Sequence, residues 1–586
     1  MSTSIDELFK GHTTNGTKRK LETVRNPEEV YKAAKRAANG TSRNVSIDNQ
    51  QDEDEDDREA GPALPPDDVA DDEEGRFFGG GISKDTANVL DYLDEQDGAD
   101  DAEPEKIDAA WLRRLALNFE RKISKNAELR AKYEDEPQKF MASEGDLDAD
   151  LKALSVLTDH PEMYTDFAKL GCVTSLVSLL AHENTDIAID AIEITSELTD
   201  EDVQAEQSDW DSLVAALLDA DLPSLLSQNL TRLDESQETD RSGVYHTLSL
   251  LENLASQPSL IPRLTKDNDL LQWLVKRIQQ KEAPITVTQN KAYAAELLSI
   301  LSQSSEATIS ALVDLNIVDV LLALLSSYRK RDPVKGSDEE EYAENIFNIL
   351  TLCVGLSLGK ERFLEAEGVE LCLIMLKEGK FSKFRALRLL DHALAGFALP
   401  ALGEKFVEAA GLKTIGGMLG KKMDRSTTEH VLGIFASLFG QLPGDSAARI
   451  RVLAKFVDGE YDKVEKLLMI RHDYGARLKP VDQQISSERK AQKSSEGRDD
   501  IEAEWQSRRL DAGLFSFQTA NVILAWLAAE DTGARQEISS RLSNSNESLA
   551  DVRVVLSELM TAVKGGEDEE SKAAADMYAT LIEVLR

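Results

Sequence analysis

Segment 355–359 (GLSLG) has the spacing of a hydrolase nucleophile. In the G-x-S-x-G pattern the serine, here Ser357, lies on a sharp turn between a strand and a helix and attacks a carbonyl carbon. His392, which follows Asp391, would be its general base. However, the preceding residues NIFNILTLCV have a helical period, and the leucines around His392 place it in a packed helix. We therefore interpret the two glycines as a helix end and expect no enzymatic activity.

No pattern in the chain favours a metal ion or a cofactor. The seven histidines show no H-E-x-x-H spacing, and Cys172, Cys353 and Cys372 lack the C-x-x-C spacing of a zinc site. Three cysteines also cannot build a disulfide framework, which indicates a reducing compartment. We expect neither a metal site nor a cofactor.

Carboxylates at helical spacing point to binding instead. Asp186, Asp190, Glu193 and Glu197 fall at i, i+4, i+7 and i+11, beside an apolar stripe that starts at Ile187. One interpretation is the solvated side of an amphipathic helix. The other is an acidic groove for Lys/Arg-rich peptides, where several contacts are needed because an exposed ion pair contributes only about 0.2–1 kcal/mol. Polar residues on later helices extend this candidate groove: Glu252, Asn253, Glu296, Glu341, Glu344, Asn345, Asn348 and Asp391.

Composition narrows the possible partners. The chain has 586 residues and a formal net charge of −41. We expect no direct contact with nucleic acid, because phosphate binding needs a cationic surface. The first residues, MSTSIDELFKGHTT, contain no apolar core of a secretory signal. No apolar run approaches the ~18–20 residues that span a bilayer, so we also expect no membrane contact.

The uneven distribution of charge along the chain indicates a disordered N-terminal tail. Residues 1–47 carry a net charge of +4, whereas residues 48–105 carry −20. Such an acidic tract, poor in large aliphatic residues, cannot bury enough surface to fold, so we expect residues 1–106 to be disordered. Within this tail, Lys18, Arg19 and Lys20 start a basic segment (16–36) that an import receptor could read, or that is a plain charge cluster. Gly75–Gly81 (GRFFGGG) resembles a short docking motif.

From residue 107 onward the chain has a helical period and repeats itself. Six segments share one layout, a small or polar residue followed by a short amphipathic helix, and each precedes a polar loop and a longer helix. Their spacings of 50, 48, 47, 52 and 43 residues favour armadillo/HEAT repeats, which run about 40–47 residues. The segments begin at Gly171, Asp221, Asp269, Asn316, Gly368 and Gly411.

These patterns predict an all-α fold, an armadillo/HEAT-type α-solenoid coiled as a right-handed superhelix. We expect a helical cap over residues 107–165, repeats over 166–480, a polar linker over 481–500 and a helical block over 501–586. The third helix of each repeat would line the concave face.

The tryptophan positions help to distinguish a nuclear-import adaptor from a scaffold protein. Nuclear-import adaptors hold basic peptides with Trp-x-x-x-Asn pairs on their third helices, but no tryptophan of this chain has Asn four residues on. The absence of these pairs counts against a transport adaptor that carries basic cargo, which we keep as the alternative to a scaffold. The tryptophans are Trp111, Trp210, Trp273, Trp505 and Trp526.

Short sequence blocks occur in order across most of the folded part of the chain. These blocks are GTKR (16–19), LNFER (117–121), KNAELR (125–130), HENTD (182–186), ELTD (197–200), NLTRLDES (229–236), ERFL (361–364), LDHA (390–393) and RRLDAGLF (508–515). In these blocks, between about Gly16 and Phe515, the chain resembles the beta-catenin-like protein 1 family of nuclear armadillo-type proteins.

The resemblance implies a nuclear scaffold of the spliceosome, in the Prp-nineteen-type complex. It implies binding to basic, nuclear-localisation-like segments of splicing factors, notably the Myb-repeat subunit of that complex, and self-association as a homodimer. It also implies that Lys18, Arg19 and Lys20 match the family's import signal in position, with a nuclear import receptor as partner.

Overall fold

The computed structural model describes residues 107–282, 287–396, 399–491, 498–566 and 569–586. Across these residues the backbone forms 27 α-helices joined by short loops and 3-10 turns, and it contains no strand. The all-α prediction is therefore confirmed. The predicted tail, with its basic segment, acidic tract and Gly75–Gly81 motif, lies outside the described residues.

The chain divides into two compact units. The described part of the N-terminal unit comprises residues 107–198 and 202–220, and that of the C-terminal unit comprises 199–201 and the described residues from 221 to 586. The helices of the N-terminal unit are α1 (Ala109–Lys132), α2 (Met141–Ala153), α3 (Tyr164–Lys169), α4 (Cys172–Ser178), α5 (Thr185–Leu198) and α6 (Gln207–Asp219).

Helix α1 begins where the sequence predicts the first folded residue. The carboxylate of Asp108 accepts hydrogen bonds from the backbone N–H groups of Ala110 and Trp111 at 2.9 and 3.1 Å, which satisfies two donors that the helix leaves unpaired. One face of α1, with Leu112 and Phe119, is buried, and α1 packs on α2. The predicted N-terminal helices are present.

The C-terminal unit repeats a set of three helices. The unit begins with α7 (Leu222–Arg232) and α8 (Glu238–Ala255), which correspond to the second and third helices of such a set. Three complete sets follow: α9 (Ile261–Leu264), α10 (Asp269–Gln279), α11 (Gln289–Ser304); α12 (Glu306–Asp314), α13 (Ile317–Leu325), α14 (Asp338–Cys353); and α15 (Ser357–Glu365), α16 (Gly368–Glu378), α17 (Phe381–Leu394).

A fourth complete set leads into a terminal group of helices. The set consists of α18 (Pro400–Glu408), α19 (Gly411–Leu419) and α20 (Arg425–Gln441). The terminal helices are α21 (Ala447–Val457), α22 (Asp462–Ala491), α23 (Arg498–Asp511), α24 (Leu514–Glu530), α25 (Thr532–Asn544), α26 (Leu549–Val563) and α27 (Glu569–Val584).

The third helices carry the core of this unit. Helices α8, α11, α14, α17 and α20 pack each on the next, and α20 packs on α24. On α11, for example, Leu297, Leu298 and Leu301 are fully buried. Each such leucine contributes about 1.5–3 kcal/mol, and one helix set alone could not cover it. Three-helix sets stacked in this way are armadillo-type repeats, as predicted.

The predicted break between the first and second helices is a residue with left-handed backbone. It reverses the chain within one residue, so that the second helix can pack against the first. The residues in this conformation have φ angles of 56° to 82° and are Gly171, Asp221, Asn316, Glu367 and Ala410. Asp269 is the exception, since Asn268 before it has a φ of −68°.

Gly368 and Gly411 do not have the left-handed backbone conformation that glycine often adopts. The left-handed residue is the one before each of them, Glu367 or Ala410. A Cβ atom on Gly368 would lie 2.3 Å from the ring of Phe363, and one on Gly411 would lie 2.5 Å from the ring of Phe406. These glycines are therefore needed because a phenylalanine packs directly against the backbone.

The predicted linker over 481–500 is wrong for most of its length. Helix α22 continues to Ala491, and α23 begins at Arg498. The segment is polar, but Gln, Glu, Lys and Arg are good helix formers. Ile485 is buried, and Glu488 accepts hydrogen bonds from Trp505 Nε1 and Arg508 at 2.8 Å each, which holds α22 to α23. The boundary predicted at residue 480 lies inside this helix.

In the described part of the chain, no single helix is long and apolar enough to span a membrane. Two pairs of consecutive helices have the necessary length and composition only when the two helices of a pair are counted together, and these pairs are bent by 82° and 68°.

We predict that Gly411→Ala lowers the free energy of unfolding by about 1–3 kcal/mol, because the added methyl group overlaps the Phe406 ring. Gly417→Ala, on the same helix but in open space, should leave stability unchanged or raise it by up to about 1 kcal/mol. Urea unfolding followed by circular dichroism measures both. Equal effects of the two substitutions would contradict this explanation of Gly411.

Candidate peptide-binding surface

The first predicted stripe lies on α5 of the N-terminal unit. Its apolar members face inward: Ile187, Ala191, Ile194 and Leu198 are all buried. The acidic stripe beside them is graded in exposure. Two members are exposed and two are half-buried, in the order Asp186 (exposed), Asp190 and Glu193 (half-buried) and Glu197 (exposed).

Asp190 does not carry a full negative charge at neutral pH. Burial and a hydrogen bond with the Asp148 carboxyl raise the pKa of Asp190 to about 7. The same hydrogen bond lowers the pKa of Asp148. Lys152 approaches both carboxylates, at 2.6 Å from Asp148 and 3.8 Å from Asp190. The charge of Asp190 is thus partly neutralised from within the unit.

In the C-terminal unit, three helices bring carboxylates together. Glu252 on α8 is 8% exposed and accepts a hydrogen bond from the Tyr293 hydroxyl on α11. The ring of Tyr293 packs against that of Tyr245 on α8, with 5.3 Å between ring centres. The sequence reasoning missed both tyrosines; they lie on third helices one repeat apart, and that spacing is the signal that could have found them.

Glu296 lies between Glu252 and Glu341. It is half-buried on α11, and burial together with the charges of Glu252 and Glu341 raises the pKa of Glu296 to about 7. Glu341 on α14 is exposed, and partial desolvation with the nearby charges of Asp338 and Glu340 raises its pKa as well. Within the described chain, no basic side chain forms an ion pair with Glu296 or Glu341.

This three-helix arrangement forms what we call the acidic row: Glu252, Glu296 and Glu341, with Tyr245 and Tyr293 beside them. Carboxylates that are partly buried and close to one another are unfavourable in their charged form unless a cation pairs with them, because burial and mutual repulsion both disfavour the charge. The acidic row can therefore bind a lysine or arginine side chain, whose aliphatic part would lie on the tyrosine rings.

The next predicted positions are paired inside the protein. Arg385 on α17 binds the carboxylate of Glu344 through two nitrogens, one of them at 2.7 Å. Arg388, one turn further, donates to the Asn348 side-chain oxygen at 2.6 Å. The predicted acidic groove is thus interrupted here by two arginines that sequence reasoning missed. Asn345 is half-buried on the same helix, α14.

Two further predicted residues are not surface residues. Asp391 is 3% exposed, and one of its carboxylate oxygens lies 2.8 Å from Nδ1 of His430 on α20. A Cβ on Gly433 would lie 2.2 Å from Asp391, so α20 packs directly on this carboxylate. Asn253 is buried and donates to the Thr199 hydroxyl at 3.4 Å. Asp391 and Asn253 both belong to the core, which corrects their place in the predicted groove.

The hydrolase alternative does not fit the described residues. Ser357 is the first residue of α15, and the residues before it form helix α14 rather than a strand. Gly359 is required because a Cβ there would overlap the carbonyl oxygen of Cys353. In the described ranges no cluster of His, Cys, Asp or Glu could hold a metal ion.

The tryptophans do not lie on the third helices. Helices α8, α11, α14, α17 and α20 contain none, and Trp273 on the second helix α10 donates from Nε1 to the backbone oxygen of Leu230 at 2.7 Å. The aromatic side chains that face the acidic row are tyrosines. Lys18, Arg19 and Lys20 lie outside the described residues.

Solved structures with similar backbones have low similarity scores. An engineered protein aligns with 79% of this chain and 99% of its own length, at 18% identity and a TM-score of 0.43. The designed armadillo repeat protein YIII(Dq)4CqI aligns with 45% of this chain and 99% of its own, at 15% identity and a TM-score of 0.34. The family therefore has to be established from sequence.

Sequence relatives cover most of the chain. Beta-catenin-like protein 1 homolog of Schizosaccharomyces pombe is 39% identical over 477 residues, which are 81% of this chain and 82% of that protein. Beta-catenin-like protein 1 of Homo sapiens is 35% identical over 478 residues, 79% of this chain and 84% of that protein. A profile of the family described as "Catenin-beta-like, Arm-motif containing nuclear" matches residues 87–557. This chain, an armadillo-type helical protein, therefore belongs to the Catenin-beta-like, Arm-motif containing nuclear family.

Proposed function

We propose that this protein is a non-enzymatic nuclear scaffold that binds Lys/Arg-rich segments of splicing factors on the acidic row. The observation that carries the proposal is Glu296. It is half-buried between two other carboxylates, and within the described chain no cation is paired with it. A bound lysine or arginine would supply the missing charge.

The chemistry of the acidic row favours a peptide over a lone ion. Tyr245 and Tyr293 provide flat apolar surfaces, 5.3 Å apart between ring centres, beside Glu252 and Glu296. The methylene groups of a basic side chain pack on such rings while its charged end reaches the carboxylates. Glu341 on the neighbouring helix would receive a second basic residue. Several modest contacts of this kind give a specific but reversible complex.

The exposed ends of the α5 stripe, Asp186 and Glu197, belong to the N-terminal unit, and the binding energy of the acidic row does not depend on them. Exposed carboxylates contribute little affinity but raise the rate at which a cationic segment arrives at the protein.

The family supports the cellular setting. Its description includes the word nuclear, which favours the nucleus for this chain. By resemblance, the partners are the Myb-repeat subunit and other components of a Prp-nineteen-type splicing complex, with a second copy of the chain as a homodimer partner. Lys18, Arg19 and Lys20 would bind a nuclear import receptor.

Purification of the tagged protein from nuclei, followed by mass spectrometry, tests this cellular setting. Recovery of the protein without splicing subunits would contradict it.

We predict that Glu296→Gln with Glu341→Gln raises the dissociation constant of a Lys/Arg-rich splicing-factor peptide about 5–20-fold, equivalent to about 1–2 kcal/mol. The reason is that both carboxylates lose the charge that would pair with the peptide. Isothermal titration calorimetry on the full chain measures the change.

A matched control has the same change in net charge. Glu361→Gln with Glu408→Gln alters two exposed carboxylates on the first helices α15 and α18. This control should leave the dissociation constant within about 2-fold of the unmodified protein. If both double variants weaken binding equally, the effect is one of overall charge and the acidic row is not the site.

We also predict that peptide affinity increases severalfold between pH 6 and pH 8. With a pKa of about 7, Glu296 is mainly protonated at pH 6 and mainly charged at pH 8, and only the charged form attracts a cation. Glu296→Gln should lose this increase. Fluorescence anisotropy with a histidine-free peptide measures it, and His246 beside Tyr245 stays the same in both proteins. An identical pH profile in the two proteins would contradict the role of Glu296.

A further inference from the structure

A cleft in the terminal helices has the opposite chemistry to the acidic row. It has a volume of about 850 Å³ and lies among α23, α24, α26 and α27 of the C-terminal unit. We call it the C-terminal cleft. Its lining includes three arginines, Arg509, Arg553 and Arg586, and a single carboxylate side chain, Glu558. In a chain of net charge −41 this is an unusual local excess of positive charge.

The floor of the C-terminal cleft is apolar. Leu514 from α24 and Ile582 from α27 line it, and Val554 on α26 is 58% exposed there. An exposed apolar side chain beside arginines is suited to a ligand that has both hydrophobic groups and negative charge.

The Arg553 side chain has a buried donor that no group of the described residues accepts from. Its Nε is buried and has no hydrogen-bond partner among the described residues, and no ion pair joins Arg553 to a carboxylate there. A buried donor left unpaired costs about 1–3 kcal/mol, which an acceptor supplied by a ligand would recover. Arg509, by contrast, is already paired with Asp482 at 2.8 Å and lies 3.9 Å from Glu558.

One segment of the chain itself has the matching composition. Residues 71–78 read DDEEGRFF, four consecutive carboxylates followed closely by two adjacent phenylalanines. The carboxylates complement the arginines, and the phenylalanine rings fit the apolar floor and can stack on guanidinium groups. The described structure begins at Ile107, and the 28 residues 79–106 before it would reach about 92 Å if fully extended at ~3.3 Å per residue. Segment 71–78 is therefore not confined to the surroundings of Ile107.

We propose that the C-terminal cleft is the docking site of residues 71–78. The acidic part contacts Arg553 and Arg586, and Phe77 and Phe78 cover Val554 and the apolar floor. Because the segment and the cleft belong to one chain, docking is intramolecular, and individually weak contacts are enough for occupancy where the tether spans the distance. The proposal concerns an anionic segment and is independent of the acidic row.

The test uses the full chain and a fluorescent peptide of residues 68–82. If the chain's own segment occupies the cleft, it competes with the added peptide, and the unmodified protein binds the peptide weakly. Phe77→Ala with Phe78→Ala in the protein vacates the cleft, and the dissociation constant of the peptide should fall at least 10-fold. Fluorescence anisotropy measures this, with circular dichroism to confirm that each variant is folded.

Charge reversal locates the site. In the Phe77→Ala/Phe78→Ala protein, an additional Arg553→Glu should weaken peptide binding at least 10-fold. Lys564→Glu, the same change of charge just after the same helix but outside the lining, should change it less than 2-fold. The proposal is overturned if the vacated protein binds the peptide no better than the unmodified one, if no protein binds it, or if the two charge reversals act alike.

Discussion

Stacking of the third helices is the constraint on which the rest of the structure depends. Each of these helices has an apolar face that only the next repeat can cover, so the side chains that meet are separated by about one repeat. The polar contacts obey the same spacing. Tyr293 reaches Glu252 41 residues earlier, Arg385 reaches Glu344 also at 41, and His430 reaches Asp391 at 39. The periodicity that builds the core therefore also decides which charges are neutralised.

This constraint explains how much the sequence predicts. Apolar spacing within a helix depends only on that helix, and the inward face of α5 and the repeated pair of a short helix and a longer helix were accordingly predicted correctly. The availability of a polar residue depends on the neighbouring repeat as well. Glu341 forms no ion pair with an arginine among the described residues, whereas Glu344, three residues away, is paired with Arg385. A stripe on a single helix could not distinguish the two.

Asp391 illustrates the same limit more strongly. By spacing it lies near the polar positions of its helix, and its charge suggests a surface residue. In the structure it is buried because Gly433 on α20 lets the neighbouring backbone approach and His430 supplies a partner. A buried carboxylate needs such a partner, since desolvation of an unpaired charge is costly. The burial of Asp391 therefore depends on His430 and Gly433, which lie 39 and 42 residues further along the chain.

The end of the stack is held by a different kind of contact. Arg449 on α21 is 2% exposed; Nε lies 3.0 and 3.1 Å from the two carboxylate oxygens of Glu530, and the guanidinium stacks on Phe439 and Trp526. It thereby joins the last repeat to α24, where the apolar face of α20 would otherwise be uncovered.

The terminal helices that cover this face do not continue the repeat pattern, and they carry the cationic C-terminal cleft instead of another acidic surface. One unit thus has two surfaces of opposite charge. An acidic segment is repelled by the acidic row and attracted by the cleft, and a basic segment has the reverse preference. If segment 71–78 lies in the cleft, its carboxylates are held away from the acidic row and do not compete there for the cationic residues of a partner.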